Sequence, residues 1–184
     1  MNELTETNIT DRRTEDIYNN NENHSILTRH PRPEDGQEIW RLVKETGVLD
    51  LNSAYCYLLL CKQFSNTCMV AEISGELAGF VTAYKIPDNK TTLFIWQTGI
   101  AKHLRGKGIA KKLILELLAM DSCINVEQIQ ATVSPSNTAS MALFRALARN
   151  LNTKFTEEEY FDSTLFPGQQ HEKENLVTVG PFNR

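Results

Sequence analysis

IAKHLRGKGIAKKL, residues 100–113, joins an extended run to a helical one, and its reading decides the fold. The residues before it, TTLFIWQTGIA, are rich in aromatic and β-branched side chains, as a strand requires. The residues after it place Ile109, Leu113 and Leu117 on one helical face, with Ala110, Ile114 and Leu118 beside them, from about Lys107 to Met120. Between the two, Gly106 and Gly108 let the backbone turn with its N–H groups pointing inward. Those groups are the unpaired donors of a helix N-terminus, at the positive end of its dipole. Together they suit a pyrophosphate. Arg105 and Lys107 add charge at the mouth. Neither GxxxxGK[ST] nor GxGxxG is present, which disfavours a nucleoside triphosphate or a dinucleotide as tenant. Two glycines before a helix also occur at ordinary helix starts, so the flanking sequence has to decide.

Upstream, the pattern predicts a short strand at Ser25–Arg29 and a helix at about Glu34–Thr46 with Ile39, Leu42 and Val43 on one face. Asn52 or Ser53 can cap a second helix at about Ala54–Gln63, whose stripe reads as Tyr55, Leu58 and Leu59. TCMVAEI, LAGFVTAYKI and TTLFIWQTGIA are separated by Ser74-Gly75-Glu76 and Pro87-Asp88-Asn89-Lys90, which predicts an antiparallel meander. Downstream come a strand at Val126–Val133, a helix at Ser136–Ala148 carrying Met141, Phe144 and Leu147, and strands near Thr153–Glu157 and Leu176–Val179. The stretch Glu158–Asn175 between those last strands is polar. The order β-α-α-β-β-β-α-β-α-β-β predicts a mixed α/β fold. One central, mostly antiparallel twisted sheet would carry helices on both faces. Residues 24–184 form this single domain. Residues 1–23 are polar and rich in Asn, Thr and Glu, and are expected to be a disordered tail.

Composition narrows the function. A chain of 184 residues can bury one core without disulfide staples. A net charge of −4 with no long basic run argues against a nucleic-acid partner. Cysteines 56, 61, 68 and 123 form no CxxC or His/Cys ligand spacing, so no metal is expected. The N-terminus lacks a basic-then-apolar signal, and no apolar run nears the ~18 residues of a membrane span. A cytoplasmic setting and no membrane association are therefore expected.

The helix after the fifth strand supplies the deciding context. Strand Val126–Val133 is followed by SPSNTASMALFRAL, residues 134–147. Together with RGKGIA it closely resembles the GNAT superfamily of acyl-CoA-dependent N-acetyltransferases. RGKGIA matches that superfamily's [Q/R]-x-x-G-x-[G/A] motif, with Arg105, Gly108 and Ala110 at the defining positions. Asn137 matches the Asn that opens the next helix and faces the coenzyme arm. The resemblance runs from about Ile26 to Leu151. It implies acetyl-CoA as co-substrate, held by Ile100, Arg105, Gly106, Lys107, Gly108, Ile109, Ala110 and Asn137. It further implies that the strand ending near Ile100 splays from its neighbour and pairs with the pantetheine amides. The Ile100 N–H would then be the oxyanion donor. Read from residues alone, Asn137 is also a helix cap after Pro135. One departure stands out. Many members place a Tyr seven residues after that Asn to protonate the leaving thiolate, and here the position is Phe144.

LDLNSAYCYLLLCKQFSNTCMVAE, GFVTAYKIPDNKTTLFIWQTGIA and FPGQQHEKENL resemble one branch of that superfamily, the L-2,4-diaminobutyrate acetyltransferases of ectoine biosynthesis. This resemblance implies L-2,4-diaminobutyrate as the small-molecule partner, transfer to its 4-amino group, and a homodimer. The residues agree with a small cationic substrate. An alkyl amine has a pKa of about 10.4, so it arrives protonated and needs both a carboxylate to hold it and a base. Asp50 is the candidate to hold an amino group, with Tyr55 and Trp96 as pocket walls. Trp96 is read as lying one pleat step from Phe94 on the same strand face. Glu174, placed by His171, is the candidate base and also lines the substrate site. Each residue has a plainer reading: a helix-start cap for Asp50, core packing for Tyr55 and Trp96, solvated charge for residues 171–174. A covalent acetyl-cysteine route is disfavoured because no Cys lies beside a base. Acetylation of another amine, such as a polyamine, an aminoglycoside or a protein N-terminus, and a non-catalytic acyl-CoA sensor are the competing functions.

Overall fold

The computed structural model describes residues 25–167 and 171–182. The tail expected at residues 1–23 lies outside the described residues. The elements, in chain order, are β1 (Ile26–Arg29), α1 (Asp35–Thr46), α2 (Ala54–Gln63), β2 (Met69–Ile73), β3 (Glu76–Ile86), β4 (Asn89–Ile100), α3 (Ile109–Ala119), β5 (Gln128–Val133), α4 (Thr138–Asn150), β6 (Phe155–Phe161) and β7 (Glu174–Val179). They follow the predicted order. The seven strands form one sheet in the order β1-β2-β3-β4-β5-β7-β6, antiparallel at every junction except β4–β5.

Helices cover both faces, and each face has its own core. Leu93, Ile95, Ile129 and Val177 of the sheet pack with Leu113, Leu117, Phe144 and Leu147 under α3 and α4. Val70 and Phe80 pack on the opposite face with Ile39, Val43, Tyr57 and Leu60 of α1 and α2. The helix faces expected for α1, α3 and α4 are the buried ones. In α2 the expected stripe is turned outward. Tyr55, Leu58 and Leu59 are 67%, 41% and 38% exposed, whereas Tyr57, Leu60 and Cys61 are buried. The helix is apolar almost all round, so periodicity alone cannot choose its face.

Element ends differ for local reasons. Gly106 and Gly108 have φ of 77° and 79°, the left-handed region, so α3 starts at Ile109 rather than Lys107. Ser53, not Asn52, caps α2 by accepting from the Cys56 N–H at 3.2 Å. Strand β6 continues to Phe161 and β7 begins at Glu174, because the two pair as far as Phe161 with Glu174. Both ends of the polar stretch Glu158–Asn175 therefore belong to the sheet.

One irregularity matters most. In the β3–β4 ladder Gln97 pairs with Thr82 and Ile95 with Ala83, so Trp96 is an extra residue, a β-bulge. A bulge shifts the alternation of side chains by one. Leu93 and Ile95 face the α3/α4 core before it, and Ile100 packs against that same core after it. The simple pleat from Phe94 to Trp96 assumed from sequence is thus interrupted at Trp96 itself.

The α2 face can be checked by urea unfolding. Leu60→Ala is expected to cost about 2–4 kcal/mol and Leu59→Ala less than about 1 kcal/mol. The reverse order would restore the stripe expected from sequence.

Candidate active site

Strands β4 and β5 pair only through Thr92–Gln128, Leu93–Ile129 and Phe94–Gln130. Beyond the bulge no pairing joins them, although both strands continue, β4 to Ile100 and β5 to Val133. The Ala101 N–H donates to the Ala78 carbonyl at 2.9 Å, which fixes which backbone groups face β3. In an antiparallel ladder these alternate. Gln97 and Gly99 therefore turn their N–H and C=O to β3, and Thr98 and Ile100 turn theirs to the gap. The splayed strand implied by resemblance is present, with the Ile100 N–H facing the gap. Thr98 is a second donor in the same setting that the sequence reading missed.

The glycine loop lies at the end of this gap. A side chain placed on Gly106 or Gly108 would meet nothing within 4 Å, so space is open above both. The first intrahelical bond of α3 runs from the Lys112 N–H to the Gly108 carbonyl at 3.0 Å. The N–H groups of Gly108, Ile109, Ala110 and Lys111 consequently have no acceptor within the helix. The Ile109 side chain is buried in the core and Ala110 is half-buried, so these two residues offer backbone donors. Arg105 and Lys107 are exposed, and Arg105 Nε donates to the Ile100 carbonyl at 3.3 Å. Open space, left-handed glycines, free donors and cations fit a pyrophosphate.

Asn137 caps α4, its side-chain oxygen accepting from the Ser140 N–H at 3.0 Å. The plainer reading of Asn137 is realised, and its amide NH₂ is not used by that cap. Phe144 is buried in the α3/α4 core, where its ring packs and offers no proton.

Of the remaining sequence candidates, Asp50 and His171 are on loops, Glu174 begins β7, Trp96 is on β4 and Tyr55 on α2. The Asp50 side chain is 91% exposed, and its Oδ2 lies 3.7 Å from His171 Nε2. The His171 ring stacks on Phe166 with centroids 3.7 Å apart, and its Nδ1 lies 2.6 Å from the Glu172 carbonyl. That carbonyl raises the His171 pKa above its usual value; partial burial opposes this, and Asp50 and Glu174 add to it. Glu174 Oε1 accepts from the Ser134 hydroxyl at 2.6 Å. Glu174 is therefore held by Ser134 at the end of β5, not by His171, which pairs with Asp50. Trp96 is 46% exposed and so is not ordinary core. Tyr55 is on the exposed side of α2. Burial pushes the Cys61 and Cys68 thiols up to about 12, which removes both as nucleophiles at neutral pH. Among the described residues no group of three or more His, Cys, Asp or Glu could hold a metal ion, and no helix is long and apolar enough to cross a membrane.

The sequence reading also missed Tyr57 and Gln97. Tyr57 is fully buried, and its hydroxyl donates to Gln97 Oε1 at 3.0 Å. Gln97 Nε2 donates to the Asp50 carbonyl at 2.7 Å. The available signal was a lone amide in an apolar strand and a phenol in an apolar helix, both of which need partners when buried.

The pattern of the acetyltransferase (GNAT) family matches residues 34–148. The chain belongs to that family. It is 46% identical over 160 residues to the L-2,4-diaminobutyric acid acetyltransferase of Marinococcus halophilus, covering 87% of this chain and 92% of that one. It is likewise 46% identical to the enzyme of that name from Halalkalibacterium halodurans, covering 86% and 84%. Its fold is similar to the diaminobutyrate acetyltransferase EctA of Paenibacillus lautus, solved with L-2,4-diaminobutyric acid and coenzyme A. The TM-score is 0.84 at 41% identity, over 88% of this chain and 98% of that one. The ribosomal-protein-S18-alanine N-acetyltransferase of Escherichia coli shares the fold at a TM-score of 0.63 and 13% identity, covering 86% and 96%.

The raised His171 pKa favours protonation, so the His171–Asp50 ion pair is complete below the unperturbed imidazole value and fades as pH rises through the folded value. An NMR pH titration of the ring is expected to give a midpoint above the usual histidine range. Asp50→Asn is expected to lower it. A midpoint that ignores Asp50 would show that the two side chains do not interact in solution.

Proposed function

We propose that this protein transfers acetyl from acetyl-CoA to the 4-amino group of L-2,4-diaminobutyrate, giving N4-acetyl-L-2,4-diaminobutyrate, a step of ectoine synthesis. The observation that carries this reading is the β4–β5 gap: free donors of β4 and the α3 N-terminus lie along it, and carboxylates gather beside it. The similarity to diaminobutyrate acetyltransferases over most of the chain, one of them solved with L-2,4-diaminobutyric acid and coenzyme A, supports the same reading.

Acetyl-CoA supplies the acetyl group as an activated thioester. The chain's own residues have four tasks. The N–H groups of residues 108–111, with Arg105, Gly106 and Lys107, hold the pyrophosphate, and the Asn137 amide meets the coenzyme arm. The Thr98 and Ile100 backbone groups pair with that arm, and the Ile100 N–H stabilises the oxygen that gains charge as nitrogen adds to the carbonyl. Asp50 binds one ammonium of the substrate, with Tyr55 and Trp96 as walls. Glu174 removes the proton from the other, since the neutral amine alone attacks; its Oε1 is fixed by Ser134, which leaves Oε2 for the proton. His171 competes with the substrate cation for Asp50 when protonated, and so sets when Asp50 is free. The C–S bond breaks as the C–N bond forms, and the thiolate leaves without a tyrosine donor, tolerable for a thiol with a pKa of about 8.5. The exposed apolar side of α2, with Tyr55, Leu58 and Leu59, supports a homodimer, and the composition supports a cytoplasmic enzyme.

An acetylation assay over a panel of amines, with NMR location of the new amide, tests the reading. Diaminobutyrate is expected to be the best substrate, acetylated at N4. Glu174→Gln is expected to lower kcat by about 10²–10³-fold. Asp50→Asn is expected to raise the KM for diaminobutyrate about tenfold and leave that for acetyl-CoA unchanged. Absence of turnover, or acetylation at the α-nitrogen, would overturn the substrate assignment.

A further inference from the structure

The loop that carries Asp50 has little of its own to hold it. It runs from Gly47, which closes α1 in a left-handed conformation, to Ser53, which caps α2. Leu49 packs against the core beneath α1 and α2, but Val48 and Leu51 are 73% and 45% exposed. The loop is tied down by polar bonds on either side of Leu51. The Asn52 N–H donates to the Tyr57 hydroxyl at 3.3 Å, and the Asp50 carbonyl accepts from Gln97 Nε2 at 2.7 Å.

The two bonds belong to one chain. Tyr57 is fully buried, so its hydroxyl must be satisfied internally. It accepts from Asn52 and donates to Gln97 Oε1 at 3.0 Å. This fixes the Gln97 amide: the oxygen must face Tyr57, so the NH₂ must face Asp50. Gln97 is in turn anchored through its backbone. It pairs with Thr82 of β3, and its carbonyl accepts from the Thr82 hydroxyl at 3.2 Å. It follows Trp96 directly and precedes Thr98, whose backbone groups face the gap. The bulge therefore sets a pocket wall, a loop clamp and a strand edge in three successive residues.

We propose that Tyr57 and Gln97 are a positioning pair that holds the Asp50 loop against the coenzyme strand, and so governs binding and regioselectivity for the diamine but not affinity for the coenzyme. The inference rests on the acetyl-transfer reading above. Neither side chain needs to touch substrate. Their effect passes through the backbone at 50 and 52, which sets where the Asp50 carboxylate sits. A diamine offers two nitrogens, and which one reaches the thioester depends on where the other is held. A displaced Asp50 therefore changes both affinity and the choice of nitrogen.

Two variants of the full-length protein separate this from a merely structural role. Tyr57→Phe removes the hydroxyl with almost no change of shape. Gln97→Glu keeps the acceptor for Tyr57 and removes the donor to Asp50. Each is expected to raise the KM for diaminobutyrate about tenfold or more, keep the KM for acetyl-CoA within about twofold, and raise the share of product acetylated at the α-nitrogen. The Asn52 amide is expected to exchange with deuterium faster in Tyr57→Phe, a readout that needs no substrate. Thermal stabilisation by acetyl-CoA should survive in both variants, while that by diaminobutyrate should fall. An unchanged diaminobutyrate KM, a parallel rise in both KM values, or an Asn52 amide as protected as in the wild type would overturn the proposal. Wild-type protein that fails to acetylate diaminobutyrate would instead sink the substrate assignment, and the Asn52 exchange would still judge the clamp.

Discussion

Strand β4 keeps a partner on one side along its length but loses the other after Phe94, and the rest of the site depends on that half-open edge. Backbone N–H and C=O groups need partners, and a buried orphan costs about 1–3 kcal/mol. A strand within a sheet would ordinarily have both rows satisfied. Here Thr98 and Ile100 direct theirs into a gap, so a ligand with amides of its own is the natural complement. The bulge at Trp96 adds twist and shifts the alternation at the point where β4 and β5 part. The α3 N-terminus then closes the end of the gap with a second set of unmet donors. Strand edge and helix end together supply two sets of unmet donors, which suits an extended coenzyme with amides and an anionic pyrophosphate.

The amine side is built differently. Its candidate groups are Asp50 and His171 on loops, Glu174 at a strand start and Trp96 on the β4 bulge, and the three ionisable ones each have a polar contact. Ser134 ties Glu174 to the end of β5, and Gln97 ties Asp50 to β4. His171 joins the C-terminal segment to the Asp50 loop, supported by stacking on Phe166. This suits a small polar substrate, for which position and charge matter more than buried area. It also assigns the two halves of the reaction to separable structures, one made mainly of backbone and one of side chains.

The sequence revealed the backbone half more readily. RGKGIA has a short-range signature, because left-handed turns need glycine and helix starts have free N–H groups, and both rules act within a few residues. The meander was equally legible, since its turns are short and their residues are specific. The outward turn of Tyr55, Leu58 and Leu59 was not, because an apolar helix has no unique face until its neighbours are known. The bulge was hidden because Ile-Trp-Gln-Thr reads as an uninterrupted strand, and only the register against β3 exposes the extra residue. Partners such as Ser134 with Glu174, or Tyr57 with Gln97, are 40 residues apart in each case, and nothing local to either residue names the other.

The central claim is that the backbone N–H groups of Thr98 and Ile100 are left unpaired for the coenzyme. Residue-resolved amide hydrogen exchange, with and without saturating acetyl-CoA, tests it directly. The account predicts that the Thr98 and Ile100 amides exchange readily in the free protein and become protected when acetyl-CoA binds, while Gly99, bonded to β3, is slow in both states. Thr98 and Ile100 amides that are already slow in the free protein, or that are unaffected by acetyl-CoA, would contradict it.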